Sequence, residues 1–133
     1  MTFTRFSRFH IPLAILLLFT LIPLGHTADV DPKLRTVTAL EQAVKTDPSN
    51  ADLMLHLAFA YRKVDKLDAA QSAFEKVRAL DPHNRDALYM LGLIYEKEHR
   101  TADARQAWTD LLAAETNTEK RSIAEKHIHH LDQ

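Results

Sequence analysis

Apolar residues recur along this chain at intervals of three and four. Met54, Leu57, Ala58 and Tyr61 fall on one stripe of a helix, and Ala70, Phe74 and Val77 fall on one stripe of the next. Positions three and four apart share a face because a helical turn takes ~3.6 residues. The pattern returns after 34 residues: 85–118 align on 51–84 without a gap, placing Leu88, Leu91, Gly92 and Tyr95, then Ala104, Trp108 and Leu111, over the first set. Two stripes per period predict two helices per repeat. The links between them, "VDKLD" and "EHRTA", are polar and short enough to force an antiparallel hairpin.

The segments "DPSN" from Asp47 and "DPHN" from Asp81 punctuate the repeats. Proline disfavours helix in the residue before it and has no N–H, so a second helix is expected to end at Asp47 and again at Asp81. Asn50 and Asn84 are expected to cap the helices that follow, and Asp52 and Asp86 place negative charge in their first turns.

Both flanks extend the pattern. Leu34, Val37, Leu40 and Val44 share a face, in the register of a repeat's second helix, which predicts half a repeat from about Pro32 to Thr46. At the other end Ala124, His127, Ile128 and Leu131 form a stripe opposite many charges. This predicts a capping helix over 119–133, aligned with a repeat's first helix after a two-residue insertion before Glu119.

The 34-residue period, the large-x-x-large-small-x-x-Tyr pattern, the Ala-x-x-x-aromatic pattern and the closing Asp-Pro resemble the tetratricopeptide repeat, or TPR. Met54 and Leu88 stand where the family has Trp, Ala58 stands for Gly, Val77 and Leu111 for small residues, and Glu115-Thr116 for the second Asp-Pro. The resemblance implies an all-α, right-handed α-solenoid of antiparallel helix hairpins. It comprises repeats at 51–84 and 85–118, a leading half repeat and a C-terminal capping helix.

The N-terminus is of another kind. Arg5 and Arg8 precede an apolar run from Ile11 to Leu24 and the short stretch Gly25-His26-Thr27-Ala28. The run is shorter than the ~20 residues of a spanning helix and carries Pro12 and Pro23 near its ends. Residues 1–28 therefore read as a signal peptide, removed after Ala28, or as an N-terminal membrane anchor if retained. The expected location is outside the cytoplasm, periplasmic in a Gram-negative bacterium. Residues 29–133 form the helical domain. Its 15 basic and 18 acidic residues give a formal net charge of −3, so nucleic-acid binding has no electrostatic support. The chain has no Cys, which excludes disulfides and thiolate chemistry.

Function in stacked helix pairs sits on the concave face, lined by each pair's first helix. The resemblance places Asp52, Leu55, Phe59, Arg62 and Lys63 there, beside Asp86, Tyr89, Leu93, Glu96 and Lys97. Leu55, Phe59, Tyr89 and Leu93 stand off the core stripe, yet are apolar or aromatic where a solvated face would carry charge. A groove with that floor and a charged rim suits a protein or peptide partner. Two alternatives remain open: Leu55 and Phe59 pack on the leading helix or on a retained N-terminal segment, or a second copy fills the groove in a homo-oligomer.

Candidate chemistry adds little. His127 and His130 are three apart, with His129 between them, so two imidazoles could share a helix face, but no third metal ligand is apparent and no metal or cofactor is expected. Trp108 reads as packing. The chain has neither G-x-S-x-G nor H-E-x-x-H, and two glycines are too few for a phosphate-cradling loop, so no enzyme is expected. The chain is similar to small periplasmic TPR proteins that assist assembly of envelope complexes. "AWTDLLAAETNT" with its final helix is similar to the ending of TPR proteins of cytochrome c biogenesis.

Overall fold

The computed structural model describes residues 31–133; the expected signal segment, 1–28, lies outside them. Among the described residues are six helices and no strand. They are α1 (Pro32–Thr46), α2 (Ala51–Lys63), α3 (Leu67–Leu80), α4 (Arg85–Lys97), α5 (Thr101–Ala114) and α6 (Thr118–Leu131). Each packs mainly on its neighbours in the chain, giving an all-α solenoid of antiparallel hairpins.

Local chemistry sets the helix ends. Asn50, Asn84 and Asn117 each accept the backbone N–H three residues on, at 3.1 Å, satisfying one orphan donor of α2, α4 and α6. Asp31 does the same for α1, accepting from Lys33 N at 2.8 Å, with Pro32 at the first helical position. Helices α3 and α5 have no side-chain cap. The chain enters them through left-handed residues, Asp65 (φ 59°) and His99 (φ 58°). Lys66 N donates to Tyr61 O at 3.0 Å and Arg100 N to Tyr95 O at 2.8 Å, closing the ends of α2 and α4.

The core runs along the stack. Trp108, Tyr95, Phe74, Leu88, Leu91 and Val77 are the largest fully buried side chains, and such burial stabilises by roughly 1.5–3 kcal/mol per large apolar side chain. Tyr61 on α2 donates to Glu41 on α1 at 2.8 Å, and Tyr95 on α4 donates to Glu75 on α3 at 3.0 Å. The same bond thus recurs one period later, so α1 occupies the place of a repeat's second helix.

The last junction differs from expectation. Helix α6 begins at Thr118, 33 residues after Arg85 opens α4, so the linker is one residue shorter, not two longer. Glu115 explains the shortening. It is 3% exposed and its Oε1 accepts from Thr116 N (3.0 Å) and Asn117 N (2.9 Å), while Arg85 Nη1 lies 3.3 Å away. At the earlier junctions, Asp47 and Asp81 receive the amide groups of Asn50 and Asn84 instead.

Candidate partner-binding groove

Helices α2, α4 and α6 are first helices of successive hairpins, and the gaps between them are floored by α3 and α5. Leu55 and Phe59 on α2 correspond to Tyr89 and Leu93 on α4, one period apart. Phe59 meets Phe74 edge to face, with centroids 5.1 Å apart, and Tyr89 meets Trp108 in the same way at 5.5 Å. Each groove aromatic therefore rests on a buried ring of the next helix, which limits its rotamers.

Three cavities open beside α4. One of about 370 Å³ lies between α3 and α4 at the end of α2, lined by Arg62 of α2, Leu67, Gln71 and Phe74 of α3, and Met90, Leu93 and Lys97 of α4. A second, about 490 Å³, lies at the starts of α4 and α6 and is lined by Arg85, Asp86, Tyr89, Glu115, Lys120 and Ile123. The third, about 480 Å³, lies at their far ends, between Leu93, Glu96, Lys97 and His130.

The sequence-predicted residues divide among these places. Arg62, Leu93 and Lys97 share the first cavity, Asp86 and Tyr89 the second, and Leu93, Glu96 and Lys97 the third. Asp52, Leu55, Phe59 and Lys63 line none of the three. Asp52 and Lys63 are exposed at opposite ends of α2; Leu55 and Phe59 are half-buried against the core. Arg62 lies over the Phe59 ring, 5.5 Å from its centroid, and holds its charge above the apolar floor.

Glu96 departs from its expected place on the rim. It is half-buried and already engaged: Oε1 accepts the indole N–H of Trp108 at 2.8 Å and lies 2.8 Å from Nδ1 of His127. Its carboxylate joins α4, α5 and α6 instead of standing free for a partner.

Helix α6 was missing from the groove read in the sequence, and it supplies Lys120, Ile123 and His130 to two of the cavities. Ile123 is 36% exposed and Tyr89 37%, so an apolar pair faces solvent across one opening. Ile123 falls outside the Ala124-His127-Ile128-Leu131 stripe, and that offset was the signal available for it.

Charge along α2 is polarised, with Asp52 in its first turn and Arg62 and Lys63 in its last, as the helix dipole favours. On α4 Lys97 lies in the last turn, while at its start Asp86 shares its cavity with the cations Arg85 and Lys120. Glu115 is held below the usual carboxylate range, first by the Asn117 N–H, with Arg85, Lys120 and the Thr116 N–H adding and burial opposing. It is thus a structural anion within the groove wall.

Among the described residues no group of three or more His, Cys, Asp or Glu is placed to hold a metal ion. No helix among them is long and apolar enough to cross a membrane.

Fold and groove together define a helical-repeat solenoid with a lined hollow along its first helices. Residues 57–119 match the tetratricopeptide repeat family model. The helical repeats over residues 57–119 are tetratricopeptide repeats. Among solved structures it is similar to the first TPR domain of Spaghetti (RPAP3) bound to the HSP90 peptide SRMEEVD. The identity is 20%, 76% of this chain and 83% of that chain are covered, and the TM-score is 0.62. It is also similar to MamA, at 21% identity, 78% and 69% coverage and a TM-score of 0.61. A comparison with curated proteins finds no match.

Proposed function

We propose that this protein is an exported scaffold that holds a peptide segment of a partner protein along the groove of α2, α4 and α6. The observation that carries the reading is the exposed apolar pair Tyr89 and Ile123, set over a cavity of about 490 Å³ between two first helices. A peptide on a similar fold, as in the RPAP3 domain with its HSP90 peptide, supports it. The cations at the far ends of α2 and α4 select the partner. A segment with an apolar stripe and acids toward Arg62, Lys63 and Lys97 is complementary to them.

Export rests on Arg5, Arg8 and the apolar run that follows them. In an envelope the scaffold would assist assembly of a complex, with cytochrome c biogenesis as the narrower reading from "AWTDLLAAETNT". The reading assigns no catalysis and no cofactor. One observation favours homo-oligomerisation instead: Leu34 on α1 is 40% exposed on a half repeat.

A photoreactive amino acid in place of Tyr89, in the full chain and its native host, tests the proposal. Crosslinking to one polypeptide other than itself, absent when the probe replaces the exposed Ser72 of α3, is the expected result. Crosslinks only between copies of this chain would favour the oligomer, and equal yields at both positions would overturn the groove.

A further inference from the structure

We propose that the seam between the two repeats is a second anchor socket, made for a bulky apolar side chain of the partner segment with a carboxylate beside it. The identity of the occupant rests on the scaffold reading. The socket itself is a different place: it opens between α3 and α4, whereas Tyr89 and Ile123 flank an opening between α4 and α6.

The seam cavity, about 370 Å³, has an apolar interior. Met90, Leu93 and Ile94, each half-buried, line it above the buried ring of Phe74, and Leu67, 45% exposed, carries the apolar surface out to solvent. Phe74 is held edge to face against Phe59, so the base of the cavity is rigid. Met90 is unbranched and adapts to what enters. A rigid base with one yielding wall suits a single large apolar side chain.

Charge at the mouth chooses what accompanies that side chain. Arg62 and Lys97 line the cavity from the ends of α2 and α4, both are exposed, and among the described residues neither has an ion pair. The acids of the lining are already engaged. Glu98 pairs with Arg100 and accepts from Gln71, each at 3.3 Å, and Asp68 stands in the first turn of α3, where the helix dipole favours it. A carboxylate beside the inserted side chain therefore meets two unpaired cations. Leu93 and Lys97 also line the cavity toward α6, so the socket continues into the proposed groove. That continuity favours a partner's chain over a free small acid as the occupant.

Methyl NMR of the methionines in the full chain tests the socket, with a blocked Phe-Asp dipeptide as the probe. The Met90 methyl should shift saturably, with a Kd on the order of millimolar for so small a ligand, while Met54, buried on α2 and outside the lining, does not move. Blocked Phe-Asn should bind about threefold to tenfold more weakly, and Ala-Asp should give no saturable shift. The Arg62→Gln, Lys97→Gln pair should make Phe-Asp and Phe-Asn equal, and Leu67→Glu should weaken Phe-Asp; all three residues are exposed, so the fold is kept. No saturable shift of Met90, equal affinity of the wild type for Phe-Asp and Phe-Asn, or a preference that survives the charge variant would overturn the socket. Crosslinking at position 89 is a separate readout. A partner caught there with Met90 silent keeps the scaffold and rejects the socket, and Phe-Asp binding without any crosslinked partner does the reverse.

Discussion

A methyl group on Gly92 would lie 2.5 Å from Cε2 of Trp108. One period earlier, Ala58 has that methyl and the facing ring is the smaller Phe74, both fully buried. The two pairs are alternative solutions of one packing problem. In a helix, Gly→Ala ordinarily gains up to ~1 kcal/mol, but the buried indole cannot retreat. Gly92→Ala should therefore cost about 1–3 kcal/mol, read as a lower denaturation midpoint. Gly92→Ala with Trp108→Phe should lose less than the sum of the single changes, by roughly 0.5–3 kcal/mol of coupling.

Alkaline titration should report on the tyrosine–glutamate bonds between hairpins. Burial pushes the Tyr61 phenol up to about 12, helped by its hydrogen bond to Glu41 and the charge there. Tyr95 is raised for the same reasons, burial first and then Glu75. A raised phenol contributes stability that is complete below its unfolded value of ~10 and is lost as pH climbs through the folded value. The wild-type chain should lose stability between pH 10 and about 12. Tyr61→Phe should be about 1 kcal/mol less stable near neutrality and lose less over that window, measured by urea denaturation at each pH.

Glu115 should show the opposite sign. Its folded value is depressed, first by the Asn117 N–H, so its contribution is present above the unfolded carboxylate value of ~4.3 and disappears as pH falls through the lower, folded one. Glu115→Gln should lower the melting temperature at pH 7 and frays α6 first, visible as faster amide exchange after Asn117. The gap to wild type should close in acid, below about pH 4.

The left-handed hinges can be improved. Asp65 and His99 hold positive φ without being glycine, a conformation that costs an L-residue roughly 1–2 kcal/mol. Both are exposed. His99→Gly should raise stability by up to about 1 kcal/mol, since glycine's larger unfolded entropy offsets part of the gain, and calorimetry of the variant checks it.

The repeat architecture was legible because it is written in spacing: the stripes through Leu57 and Leu91, or Phe74 and Trp108, are buried as 34-residue periodicity implies. Asn50 and Asn84 were legible as caps for the same reason. The last junction was not, because Glu115 substitutes a side-chain carboxylate on two amides for an Asp-Pro turn, and no residue-type signature marks that exchange. Glu96 read as a free rim charge because charge at an outward helical position is ordinary; its partners are 12 and 31 residues away and reach it only through the packing of α5 and α6. Ile123 and Lys120 were unread as groove residues since α6 breaks the period.

The proposed scaffold function requires that the hollow along α2, α4 and α6 hold a peptide. Once crosslinking at position 89 yields a partner segment, its affinity for the wild-type chain, for Tyr89→Ala and for the Arg62→Glu, Lys63→Glu pair is the direct measurement. A loss of about tenfold or more in each variant, a central aromatic anchor and two rim charges being of that order, with helix content unchanged by circular dichroism, is the expected result. Equal affinity for all three folded proteins would contradict it.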